Sequence, residues 1–206
     1  MGEARNHVVI TGTGRAGTSF LVALLTNLGL DTGFETGKMG LFPNARAGLE
    51  RDVRHGDAPY IVKDPQFCNY VAEVVQDETI NIEHVFVPMR DLYSAAESRR
   101  DVTERTVCEY PPEERAAVRE VGVCGGLWET RDPAAQEAVL AAKIYDLVLE
   151  LSSTHIPVTL LRYPLLTSDS EYLYKKLAPV LNDIERPEFD KVFERTVQPD
   201  WVSTFT

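Results

Sequence analysis

Val8-Val9-Ile10 is a short apolar run that enters a glycine-rich turn, Thr11-Gly12-Thr13-Gly14-Arg15-Ala16-Gly17, and leaves as Thr18-Ser19-Phe20-Leu21. Phe20, Leu21, Leu24, Leu25 and Leu28 then recur at helical spacing, so the segment reads as strand, loop, helix. Glycine lets the backbone turn tightly and bring its N–H groups close to an anion, and the helix that follows aims its positive end at the same point. The chain is therefore expected to open on a cradle for a phosphate or sulfate group, formed by Gly12, Thr13, Gly14, Arg15, Ala16, Gly17, Thr18 and Ser19.

The cradle departs from two common nucleotide loops. In the ATPase pattern G-x-x-x-x-G-K-[ST] a lysine reaches the terminal phosphates; Gly12 and Gly17 keep that spacing, but Thr18 stands at the lysine position and the nearest cation is Arg15. Gly12, Gly14 and Gly17 also match the dinucleotide spacing G-x-G-x-x-G, yet no ribose-binding acid follows a second strand in the expected place.

Strand and helix signals alternate along the rest of the chain. Strands are expected at Tyr60-Ile61-Val62, at 82–87 with Pro88 closing the run, and at Val158-Thr159-Leu160-Leu161. Helical stretches carry Tyr70, Val71, Val74 and Val75, then Ala95, Ala96 and Ser98, then Leu140, Ile144, Leu147, Val148 and Leu151 behind an Asp132 N-cap and Pro133. Ser168-Asp169-Ser170-Glu171 reads as a capping box for a last helix with Leu173 and Leu177, ending near Pro179. Residues 101–131 read as an irregular excursion or lid in which Trp128 is a core or lid anchor, and the tail from Arg186 has no assignable pattern. The fold class expected is α/β: a P-loop-containing three-layer sandwich, its sheet mainly parallel with helices on both faces.

The chain of 206 residues is expected to form a single domain over 1–206. Its net charge of −11 argues against nucleic acid as a partner. No apolar run reaches the length of a membrane span, and the opening Met1-Gly2-Glu3 shows no secretory segment. Cys68, Cys108 and Cys124 are widely spaced and odd in number, which reads as reduced thiols of a cytoplasmic protein, with neither a disulfide framework nor a metal site.

An acidic chain can still concentrate its cations in one pocket. Ligands of parallel sheets bind at the carboxyl ends of the strands, and Arg15, Lys63 and Arg90 each follow such an end. Arg99 and Arg100 read as helix-surface cations beside Glu97 and Asp101, and His7, His84 and His155 as structural histidines.

The loop 12–19 resembles the 5′-phosphosulfate loop of sulfotransferases, which carries its cation before the second glycine. Arg90-Asp91 with Ser98 eight residues later resembles their 3′-phosphate signature, and Lys63-Asp64-Pro65 resembles a segment of bacterial and tyrosylprotein-type members. Leu161-Arg162-Tyr163-Pro164-Leu165-Leu166 is similar to the late Tyr-Glu-x-Leu segment, with Pro164 in place of glutamate, and no late Arg-Lys-Gly segment is present.

The resemblance implies transfer of a sulfuryl group from 3′-phosphoadenosine 5′-phosphosulfate to a hydroxyl or amine on a small-molecule or glycan acceptor, with no metal. It implies that the loop amides and Arg15 hold the phosphosulfate, that Lys63 stabilises charge developing at the transferred sulfur, and that Arg90 and Ser98 hold the 3′-phosphate. Glu35 falls where tyrosylprotein-type members carry a catalytic base; His55 is the runner-up and Asp64 a third option. Acceptor contacts are expected from residues 34–54 and 101–131. Two other readings stay open: a divergent P-loop small-molecule kinase or phosphotransferase, and a non-catalytic nucleotide-binding relative.

Overall fold

A computed structural model of the chain describes residues 4–41, 48–199 and 205. The expectations placed on Met1-Gly2-Glu3 and on 42–47 of the acceptor-facing stretch lie outside the described residues. In chain order the elements are β1 (Arg5–Ile10), α1 (Thr18–Asn27), β2 (Ile61–Lys63), α2 (Val71–Gln76), β3 (Ile80–Met89), α3 (Leu92–Cys108), α4 (Arg115–Val121), α5 (Gln136–Ser152), β4 (Val158–Arg162), α6 (Leu165–Ser168), α7 (Ser170–Leu181) and α8 (Arg186–Thr196).

The strands pair in the order β2-β1-β3-β4, every neighbour parallel. Val8, Val9 and Ile10 are fully buried because β1 is central and covered on both faces, which is why it reads as a continuous apolar run. Alternate side chains go to opposite faces. Val8, Ile10, Phe86 and Leu161 pack against α1, α7 and α8 through Leu21, Leu24, Leu173, Leu177 and Phe189. Val9, Val62, Val85 and Val87 pack against α2 and α5 through Val71, Val74, Leu147 and Leu151. The result is a three-layer α/β sandwich.

Several boundaries differ from the sequence reading. Pro88 does not close β3: it pairs with Leu161, and the strand runs on to Met89. The Phe86 carbonyl faces β1, accepting from the Thr11 N–H, so two residues on, the missing N–H of Pro88 faces the same side beyond the end of β1. The excursion begins later than residue 101, because α3 continues to Cys108, and it contains the helix α4. Asp169, not Ser168, caps α7, accepting from the Tyr172 N–H. Pro179 lies inside that helix, where it removes a hydrogen bond only from the last turn. The tail forms α8, with Pro187 in its first turn and Phe189, Val192 and Phe193 buried at helical spacing. Val75 and Val148 lie on the outer edges of their stripes and are exposed.

Candidate anion-binding site

The loop between β1 and α1 is built from left-handed backbone. Gly14 has φ 65°, Arg15 φ 54° and Gly17 φ 87°. A Cβ at Gly14 would also stand 2.7 Å from Arg99 Nη2, so the guanidinium would have to shift. At Gly17 a Cβ would stand 2.7 Å from Leu166 Cδ1. Arg15 adopts a conformation that side-chain-bearing residues avoid, and its surroundings hold it there. Its Nε–H donates to Ser98 Oγ at 3.1 Å, and its carbonyl accepts from Arg90 Nη1 at 3.0 Å. The N-cap of α1 is Gly17, which has no side chain to offer, and the first turn has no acid, so the amide end of the helix keeps its attraction for an anion.

In register, Ile10 stands beside both Lys63 and Phe86. The sheet therefore brings the tips of β1, β2 and β3 to one edge, where a cleft of about 750 Å³ opens. Arg15, Lys63 and Arg90 all line it, and so does Arg99. Lys63 is only 3% exposed. Its ammonium donates to the Gly48 carbonyl at 2.5 Å, to Glu50 Oε1 at 2.7 Å and to Ser19 Oγ at 3.1 Å. The Arg90 guanidinium sits over the rings of Tyr163, at 4.8 Å, and Phe205, at 5.5 Å.

Arg99 does not behave as the surface cation expected from sequence. It is 6% exposed, and among the described residues it forms no ion pair. Its Nε and Nη2 donate to the Thr13 carbonyl at 3.2 and 2.5 Å, and Nη1 to the Gly126 carbonyl at 2.7 Å. The signal lay in periodicity: Ala95, Ala96, Arg99, Val102 and Thr103 form the buried stripe of α3. Arg100, one residue on, is half-buried at the edge of the helix and pairs with Glu97 and Glu137.

Burial and like charge depress these cations. Burial, then Arg90 and Arg105, push Arg15 down to about 10. Burial, then Arg15, push Arg99 down to about 9. Burial lowers Lys63 and outweighs the pull of Glu50. Arg15 and Arg99 remain protonated at neutral pH, so the cleft holds crowded, partly desolvated positive charge, which an anion would relieve.

The other site expectations fare differently. Thr18 and Ser19 line the cleft with Gly14 and Gly17, whereas Gly12, Thr13 and Ala16 do not. Ala16 is packed into the interior and the Thr13 carbonyl is turned to Arg99. Ser98 is 2% exposed, behind the Arg15 side chain, and is not a wall of the cleft. Glu35 also lies outside the cleft, 73% exposed and paired with Lys38 at 2.6 Å. His55 is exposed in a surface turn and lies outside as well. The carboxylates that line the cleft near Lys63 are Glu50, Asp52 and Asp64. Asp52 is engaged by Arg54 at 2.7 Å. Asp64 is buried, accepts from the Gln66 N–H at 2.8 Å and from the Tyr70 hydroxyl, and burial raises its carboxyl above the usual range. Glu50 had no sequence signal, since only the fold returns the chain after residue 48 to the tip of β2.

Among the described residues no group of three or more His, Cys, Asp or Glu could hold a metal ion, and no helix is long and apolar enough to cross a membrane. Compared with protein-family models, with curated proteins and with solved structures, the chain matches none.

Proposed function

We propose that this chain is a sulfotransferase that moves a sulfuryl group from 3′-phosphoadenosine 5′-phosphosulfate to a hydroxyl or amine of a small-molecule or glycan acceptor. The observation that carries the reading is the convergence of Arg15, Lys63, Arg90 and Arg99 on one cleft against a glycine-rich, P-loop-like turn at a helix N-terminus.

On this reading the amides of residues 14–19 and the Arg15 guanidinium hold the 5′-phosphosulfate. Arg90 takes the 3′-phosphate, with Ser98 acting through Arg15. The acceptor oxygen or nitrogen attacks sulfur, and the bond from sulfur to the bridging oxygen breaks with its electron pair left on the 5′-phosphate. Lys63 stabilises the charge spread over the sulfuryl oxygens, as positioned cations do in phosphoryl transfer. The acceptor proton passes to a carboxylate. Glu50 suits that step better than Glu35 or His55, because it lines the cleft, 2.7 Å from Lys63 and 43% exposed.

Thermal denaturation with candidate ligands tests the reading. A ligand at a hundred times its Kd stabilises the folded state by about 2.7 kcal/mol. Adenosine 3′,5′-bisphosphate is expected to raise Tm far more than adenosine 5′-phosphate. A rise with ATP·Mg²⁺ alone would favour a phosphotransferase. A rise with the bisphosphate, but no transfer from the donor to any of a panel of phenols, amines and sugars, would favour a nucleotide-binding protein without turnover.

A further inference from the structure

Arg99 joins two parts of the molecule that are far apart in sequence. One edge of its guanidinium grips the Thr13 carbonyl inside the glycine-rich loop, and the opposite nitrogen holds the Gly126 carbonyl. Its Cζ sits 5.2 Å from the centre of the Trp128 ring. Gly125, Gly126, Leu127 and Trp128 form a wall of the same cleft. Trp128 anchors one end of the wall, buried with Ala95, Ala96 and Leu140 and clamped by Gln136 at both its N–H and its carbonyl, but the stretch before it is lightly held. The preceding helix α4 buries no side chain. Left-handed glycines stand at Gly122, φ 96°, and Gly125, φ 72°. The amides of that stretch rest on few bonds: Gly126 N–H to the Val123 carbonyl at 2.9 Å and Leu127 N–H to Thr103 Oγ1 at 2.9 Å. Segments with few buried contacts open at low free energy.

We infer that Arg99 is a positioning residue that makes closure of the 122–127 wall depend on an anion in the glycine-rich loop. This deepens the donor reading above and rests on it. With the wall closed, Arg99 is a buried cation that, among the described residues, is compensated by carbonyls and a ring and by no carboxylate, and Arg15 is a second cation nearby. With the wall open, water reaches Arg99. An anion in the loop therefore interacts more strongly with Arg99 in the closed state than in the open one. That difference in interaction is what shifts an equilibrium between two states. By reciprocity, closure tightens the anion. The closed wall completes the side of the cleft left for the acceptor, so donor binding precedes formation of the acceptor site.

Amide hydrogen exchange tests this on the full chain, with adenosine 3′,5′-bisphosphate as probe and titration calorimetry to set saturation for each protein. In the wild type, the probe is expected to slow exchange at Gly126 and Leu127 by roughly tenfold, within the usual range of coupling between sites. In Arg99→Lys, which keeps the charge but cannot bridge both carbonyls, saturating probe is expected to slow the first turn of α1 and leave the wall unchanged. A residue that only braces the fold would lower Tm in Arg99→Lys yet leave the probe-dependent slowing intact, and that result overturns the inference. So does an unaffected wall in wild type when calorimetry shows the probe bound. No binding heat in wild type overturns the donor reading, and the inference with it. Should Arg99→Lys fail to melt cooperatively, Gly126→Ala replaces it, since a Cβ at Gly126 would overlap the Thr103 hydroxyl and displace the wall while leaving Arg99 in place. Gly126→Ala is expected to lose the coupling; retained coupling overturns the inference.

Discussion

The Arg15 Nε–H donates to the Ser98 hydroxyl at 3.1 Å, across 83 positions of sequence. Ser98, which the resemblance implies for the 3′-phosphate, here accepts from the loop arginine and orients it. Arg90 donates to the carbonyl of the same residue, so both members of the spaced pair act on Arg15.

Replacing Ser98 by alanine removes a hydrogen bond to a charged group, and such a bond contributes about 1.5 kcal/mol or more. Affinity for adenosine 3′,5′-bisphosphate is expected to fall roughly tenfold, which is about 1.4 kcal/mol. Arg90→Ala should weaken the bisphosphate much more than adenosine 5′-phosphate. Calorimetry with both nucleotides checks the pair, and equal losses in Arg90→Ala would refute its assignment to the 3′-phosphate.

Gly17→Ala places a Cβ at φ 87° and against Leu166. The left-handed conformation alone costs roughly 1–2 kcal/mol for a residue with a Cβ. Urea unfolding is expected to show a loss of about 2 kcal/mol, with m unchanged. A smaller loss than Gly29→Ala, where the added atom meets open space at φ 83°, would contradict the packing described for the loop.

Glu50→Gln removes the carboxylate that competes with a bound anion for Lys63. Binding of the bisphosphate is expected to tighten severalfold as repulsion in the cleft falls, while sulfuryl transfer falls by about a hundredfold or more if Glu50 takes the proton. Steady-state kinetics beside calorimetry separates the two effects. Undiminished turnover would exclude Glu50 as the base.

His7 and His84 set an acid limit to stability. Burial holds both imidazoles below 6.5 in the folded state. His7 Nδ1 lies 2.7 Å from the Pro59 carbonyl, and His84 Nε2 lies 2.8 Å from Thr159 Oγ1. As pH drops through 6.5 the unfolded chain takes up protons that the folded chain refuses, so stability is full above 6.5 and falls towards the lower folded values. Asp64 runs the other way: its carboxyl is raised above 3.8, so its protonation favours the folded state as pH falls towards 3.8. Thermal melts between pH 7.5 and 5 are expected to show a declining Tm. His84→Gln, which keeps a hydrogen-bonding group opposite Thr159, should flatten the slope; an unchanged slope would remove His84 from the account.

Patterning within short windows was enough to locate β1, the loop, α1 and the later strands. Their signals are apolar runs, glycines and helical spacing, and each depends on neighbours a few positions away. The same local logic placed Arg15, Lys63 and Arg90 beyond strand ends, and parallel strands bring such ends to one edge. Tertiary packing alone decided which charges share the cleft. Arg99 reaches Thr13 from 86 positions away because the inward stripe of α3 lies over the loop. Glu50 meets Lys63 because the chain folds back beside β2. Glu35, for all its suggestive spacing, turns outward to Lys38. Burial and the meeting of side chains are set by the summed packing of distant segments, and no local window contains that sum.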